Sequence, residues 1–202
     1  MLWIGITGSI GTGKSTFSEI LREKGFFVLD ADVLAKRNLE KTSPAFGKIV
    51  AEFGSEILDS QGNIDRAALA QIVFSDRERL EKLESITHPE IRIVVDKQKD
   101  EHKKNNQKYL FYDVPLLFEK NMDKSFDLVV MVTCSPENQI KRIKARNNWT
   151  DEEIKKRLAV QLPLSVKESR AHVLINNDGD KAQLEIEVGK FIVWLGTIQN
   201  QD

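Results

Sequence analysis

Gly8-Ser9-Ile10-Gly11-Thr12-Gly13-Lys14-Ser15, followed by Thr16, decides how the chain is read. The spacing is G-x-x-x-x-G-K-S, that of a phosphate-binding loop. Before it, Leu2-Trp3-Ile4-Gly5-Ile6-Thr7 is an apolar stretch short enough for a buried strand. After it, Thr16 to Lys24 carries Phe17, Ile20 and Leu21 at helical spacing. Strand, glycine loop and helix form the context that the motif needs. Glycine at 8, 11 and 13 lets the backbone approach an anion closely. Successive N–H groups then point into one concavity at a helix N-terminus, where negative charge is favoured. The pattern assigns Gly11, Thr12, Gly13, Lys14, Ser15 and Thr16 to phosphate binding. Lys14 supplies a mobile positive charge for the terminal phosphates, and the Ser15 hydroxyl is a ligand for Mg²⁺. A glycine-rich turn with a chance lysine is the competing reading, and the flanking strand and helix weigh against it.

Working outward, Gly25 closes the first helix as a C′ glycine. Phe26 to Leu29 is apolar without alternation, as in a parallel strand buried on both faces. It runs into Asp30-Ala31-Asp32 and a helix to about Glu40. Ser43 caps the next helix with Pro44 at its first position, and that helix stops near Gly54. Asp59 to Asn63 is a turn, Asp65 caps a helix from Arg66 to Phe74, and Asp76 caps another that should stop before Pro89. Pro89 to Asn105 reads as a further helix, its polar end solvated. Tyr109 to Leu117 is a strand ended by Pro115, and Phe126 to Cys134 is another. Ser135-Pro136 and the capping box Thr150-Asp151-Glu152-Glu153 each open a helix. His172 to Ile175 is a last short strand, Asn176 to Gly179 a turn, and a final helix runs from about Lys181 to Leu195.

Strands alternating with helices imply an α/β fold with a five-stranded parallel sheet. The helical stretch 43–105 is too long for one crossover. It is expected to be a subdomain inserted between core segments 1–42 and 106–202. The chain has 202 residues, with 30 basic and 31 acidic side chains for a net charge of -1, so nothing in the balance calls for nucleic acid or an acidic membrane. One cysteine, Cys134, excludes an internal disulfide and fits a cytoplasmic protein. No apolar run reaches transmembrane length, and the apolar N-terminus lacks the basic leader of a signal peptide.

Taken together, Gly8 to Thr16, Asp30-Ala31-Asp32, Gly62 with Arg66 and Leu69, His88-Pro89, Val114-Pro115-Leu116-Leu117-Phe118-Glu119, Arg142 with Arg146, and Asn176-Asn177-Asp178-Gly179 resemble the dephospho-CoA kinase family over about residues 2–180. The resemblance implies a P-loop three-layer α/β/α core, a helical substrate domain at 43–105 and a small helical lid at about 141–161. It implies ATP and dephospho-CoA as substrates, Mg²⁺ as cofactor, and a monomer or weak homo-oligomer. By that match Asp32, Lys14 and Arg146 are catalytic, with Asp32 accepting the proton of the acceptor hydroxyl. Arg142, Arg146 and Asn177 join the loop on ATP. Asp32, Lys36, His88, Pro115, Leu116 and Leu117 meet the acceptor. From the residues alone, Asp32 can also serve as a helix N-cap, His88 is equally a helix junction, and Asp113 is either a metal-orienting acid or structural. Arg142 and Arg146, at i and i+4, share a helix face, and Lys141 and Lys144 read as solvated. The chain departs from the family at Lys36, Lys41-Thr42, Asn147 and His172. A kinase of another nucleotide or metabolite is the nearest alternative. A guanine-nucleotide switch is disfavoured, since neither Asn-Lys-x-Asp nor Asp-x-x-Gly occurs where it would be needed.

Overall fold

A computed structural model of the chain describes residues 1–147 and 149–198, so Asn148, inside the expected lid, lies outside the described residues. In chain order the elements are β1 (Leu2–Gly8), α1 (Lys14–Glu23), β2 (Val28–Asp30), α2 (Ala31–Arg37), α3 (Pro44–Phe53), α4 (Arg66–Ser75), α5 (Arg77–Lys104), β3 (Tyr109–Asp113), β4 (Leu128–Thr133), α6 (Pro136–Asn147), α7 (Asp151–Ala159), α8 (Leu164–Arg170), β5 (Val173–Asn176) and α9 (Lys181–Ile198). The chain divides into two compact units, residues 1–29 with 107–202, and residues 30–106.

The sheet has the order β2-β3-β1-β4-β5 and is parallel. β1 pairs with β3 from Leu2 opposite Tyr109, and with β4 from Ile4 opposite Leu128. Side chains alternate between the faces of a strand. Ile4 and Ile6 join Phe17, Ile20 and Leu21 of α1 and Val188, Phe191 and Leu195 of α9 in one core. On the other face Trp3 stacks on Tyr112 and Phe126 at 5.5 and 5.2 Å between centroids. There Gly5 leaves space that a Cβ would take from Leu117 and Phe126, at 2.7 and 3.0 Å. Both faces are covered, which is why the strands read as unbroken apolar runs. β1 lies between β3 and β4, so the chain switches direction across the sheet at the carboxyl end of β1, where open parallel sheets bind ligands.

The second unit is helical around its own core of Ala45, Ile49, Phe53, Ile57, Ile64, Leu69 and Val73. Its helix starts obey the cap rule: Ser43 accepts from the Ala45 N–H, Asp65 from Ala67 and Ala68, and Asp76 from Glu78 and Arg79. In the Asp59–Asn63 turn, the Asn63 and Gln61 N–H groups donate to Asp59 and hold its carboxyl below the usual range.

Four details differ from expectation. Pro89 does not stop a helix: α5 is one helix of 28 residues with the proline inside it. Pro89 has no N–H to give the Ser85 carbonyl, and tertiary contacts offset that loss. The Asn38 amide donates to the Thr87 carbonyl at 3.0 Å, and Lys48 pairs with Glu90 at 2.8 Å. β3 ends at Asp113, before Pro115, once the Val114 N–H has made its bond to Ile6 at 2.9 Å. α2 ends at Arg37 rather than near Glu40. α8 has no counterpart in the sequence reading.

Candidate active site

The phosphate loop leaves β1 and enters α1 with Gly11 at φ 82° and Gly13 at φ 92°. Such φ values strain any residue with a Cβ. At Gly13 a Cβ would strike the Asn177 amide, and at Gly11 it would meet Ile143 at 2.6 Å. The loop is tied internally, since the Thr12 N–H and hydroxyl both donate to the Ser9 carbonyl, at 3.2 and 2.8 Å. Gly13 is the N-cap of α1 and brings no side chain to it. The first-turn N–H groups therefore have no side-chain cap, as an anion site at a helix start requires. Lys14 forms an ion pair with Asp113. The other Asp113 oxygen accepts from the Ser18 hydroxyl at 2.7 Å, and Asp113 is 2% exposed. Sequence reasoning left Asp113 undecided and passed over Ser18. The Ser15 hydroxyl is exposed and makes no hydrogen bond among the described residues, whereas Thr12 and Ser18 are both engaged.

Helix α6 and the turn after β5 flank this loop. Gln139, Arg142, Ile143 and Arg146 fall on one helix face, and the first three reach the loop region. Gln139 donates to the Ile10 carbonyl at 2.8 Å. Ile143 packs at Gly11. Arg142 donates to the carbonyls of Asn177 and Gly179 at 2.6 and 2.8 Å, and Asn177 donates to the Thr12 carbonyl at 2.8 Å. Arg142 thus holds the turn to the loop. Gln139 was not anticipated, though its place one turn before Arg142 was a usable signal. Arg146 is not brought to this cluster: it is exposed, with Nε on Asn147 Oδ1 at 3.0 Å. Asp178 accepts from Asn138 at 2.9 Å and from the Ser135 N–H at 2.7 Å, which holds its carboxyl at about 2 against the usual 3.8. Cys134 is buried, and burial pushes its thiol up while Arg142 works in the opposite direction. A raised thiol is a poor nucleophile.

Pro115, Leu116 and Leu117 follow β3. The Pro115 carbonyl accepts from the Thr7 hydroxyl at 3.4 Å. Leu116 is 40% exposed, while Leu117 is fully buried in the core against Gly5. In the second unit Asp30, not Asp32, is the N-cap of α2, accepting from the Val33 N–H at 3.0 Å. Asp32 lies in the first turn, exposed and with no hydrogen bond or ion pair among the described residues. Lys36 and His88 are exposed on α2 and α5. Beyond α6, Arg157 of α7 lies 4.0 Å over the Trp149 ring, and Lys144 pairs with Asp151 at 2.7 Å.

This geometry fits a kinase of the P-loop type, and a family model described as Dephospho-CoA kinase matches residues 2–183. The chain belongs to the dephospho-CoA kinase family. It is 40% identical over 202 residues to the dephospho-CoA kinase of Bdellovibrio bacteriovorus, covering 100% of both chains. It is similar to the solved dephospho-CoA kinase from Campylobacter jejuni, with 32% identity, a TM-score of 0.70 and 94% of each chain covered. A solved protein from Thermus thermophilus gives 35% identity, a TM-score of 0.78 and 96% of each chain covered. Members of the dephospho-CoA kinase family are ATP-dependent phosphotransferases. No helix among the described residues is long and apolar enough to cross a membrane.

Proposed function

We propose that the chain transfers the γ-phosphoryl group of ATP to the ribose 3′-hydroxyl of dephospho-CoA, giving coenzyme A and ADP. The observation that carries this is the uncapped glycine loop backed by the Lys14–Asp113–Ser18 network, in a chain that belongs to the family along most of its length.

The loop amides and Lys14 hold the β- and γ-phosphates. Asp113 and Ser18 set where the Lys14 ammonium sits, so little reorganisation is needed as charge shifts onto the leaving ADP. The O3′–P bond forms as the bond to the β,γ-bridging oxygen breaks, and ADP leaves with that electron pair. Asp32 orients the 3′-hydroxyl and takes its proton late, since a carboxylate is a weak base toward a ribose hydroxyl. Arg142 serves ATP indirectly, by fixing Asn177 and its turn against the loop. Arg146 is the charge that swings in with the lid, over about residues 141–161. Lys36, His88, Pro115 and Leu116 meet the acceptor, while Leu117 supports that segment from the core. The exposed Ser15 hydroxyl fits Mg²⁺, which when bound neutralises charge on the phosphates. The near-neutral charge calls for no nucleic-acid or acidic-membrane partner, and a cytoplasmic monomer or weak homo-oligomer completes the reading.

The test is ADP release from ATP and Mg²⁺ with dephospho-CoA, AMP, CMP, GMP and dTMP as separate acceptors. Turnover should be confined to dephospho-CoA. Faster turnover on any other acceptor would reassign the substrate.

A further inference from the structure

From Lys144 to Val160, every side-chain hydrogen bond, ion pair and ring contact among the described residues closes within the stretch: Lys144 with Asp151, Arg146 with Asn147, Thr150 with Glu153 and Arg157 with Trp149. On either side, bonding turns to the rest of its unit. At the N-terminal side Arg142 grips two carbonyls of the Asn177–Gly179 turn. At the C-terminal side Lys167 of α8 is 0% exposed, with its ammonium 2.6 Å from Glu119 Oε1 and 3.4 Å from Gln161 Oε1. The same Glu119 oxygen accepts from the Leu162 N–H at 3.0 Å. α8 is itself fixed to the sheet, since Glu168 accepts from the Thr133 hydroxyl at 2.6 Å. The connection borders an open pocket of about 420 Å³, with Glu119, Val160, Gln161 and Leu162 in its wall together with Phe118 and Arg170.

We propose that Glu119, held by Lys167, is the pivot on which residues 144–160 turn, and that it is thereby a positioning residue for phosphoryl transfer; the claim rests on the kinase reading above. A fully buried ammonium is tolerated only when paired and hydrogen-bonded. An apolar pair of similar volume would fill the same space as stably. It could not hold the Leu162 amide, and so would not fix where the stretch ends. Glu119 also closes the segment that carries Pro115 and Leu116, so one carboxylate ties the acceptor side to the root of the moving arm.

Three variants test this. Lys167→Met leaves the Glu119 carboxylate buried without its cation and should lower the melting temperature. Glu119→Leu/Lys167→Met should recover it, yet keep kcat on the order of 10²-fold below wild type, the scale of an ångström of misplacement. Its KM for ATP should change far less. In hydrogen exchange, amides of residues 144–160 should lose the protection that ATP confers on the wild type. Recovery of both melting temperature and kcat overturns the proposal, since the pair then only fills space. If the double variant does not fold, Glu119→Asp keeps the charge and withdraws it by one methylene. A fall in kcat at constant KM for ATP supports the pivot, and wild-type kcat overturns it. A wild type inert toward dephospho-CoA overturns the kinase reading instead. Exchange with ATP alone then still decides, because unaltered protection in the double variant overturns the pivot.

Discussion

At the scale of single residues, the division of labour between Asp30 and Asp32 is the sharpest result. Sequence spacing allowed Asp32 to be a cap or a catalytic base. Asp30 takes the Val33 N–H and leaves Asp32 with no hydrogen bond or ion pair among the described residues. Asp30→Ala should therefore cost about 1 kcal/mol of stability, as cap removals do. Asp32→Asn should leave the urea midpoint unchanged while kcat on dephospho-CoA falls steeply. A stability loss at Asp32 with kcat intact would remove it from the chemistry. Asp178 gives a pH signature. Its folded value of about 2 lies below the usual 3.8, so its contribution to stability is present above that usual value and is lost as pH falls through about 2. Wild type should be more stable than Asp178→Asn near neutral pH, and the gap should close at about pH 2. A gap independent of pH would place the effect elsewhere.

At the scale of elements, caps and periodicity were legible, and so were the prolines at helix starts, but Pro89 was misleading. Ser43, Asp65, Asp76 and the Thr150 capping box announce helix starts because a short polar side chain there satisfies otherwise orphaned N–H groups. Pro89 breaks the local rule, and only packing and the Asn38 bond to Thr87 show why α5 continues. Pro89→Ala should raise stability by roughly 1–3 kcal/mol in urea unfolding, since the Ser85 carbonyl regains a donor. A destabilised variant would mean that the helix around position 89 is packed to suit proline. The nucleotide side of the site was legible because the glycine loop is contiguous in sequence. Ser18 and Lys167 were not, because the carboxylates they serve, Asp113 and Glu119, are distant in sequence. The bond of Gln139 to Ile10 spans 129 residues and was signalled only by the place of Gln139 one turn before Arg142. The arginine pair also had to be split by geometry. Arg142→Lys should raise the KM for ATP, because an ammonium cannot bridge two carbonyls as a guanidinium fork does. Arg146→Lys should act mainly on kcat. The reverse pattern in steady-state kinetics would exchange the two roles.

At the scale of the molecule, each unit has its own hydrophobic core, one built on the sheet and one among α3, α4 and the helices around them. Thermal unfolding is best followed with more than one probe, since a chain with two cores does not have to unfold in a single step. The chain supplies such probes in its three tryptophans, Trp3, Trp149 and Trp194. Trp3 is buried among aromatics and Trp194 stacks on Phe191 at 6.1 Å, so both report the sheet unit. Trp149 is the one in the stretch proposed as a lid, with the Arg157 guanidinium over its ring at 4.0 Å. If closure draws Arg157 toward phosphate, that ring loses its cation. In a Trp3→Phe/Trp194→Phe protein, indole emission should then shift in wavelength and intensity as ATP and dephospho-CoA are added. An emission spectrum indifferent to both ligands would leave Arg157 where it is. If the arm moves as proposed, the Arg157–Trp149 stack is an intrinsic reporter by which that motion can be timed in stopped flow without attaching a dye.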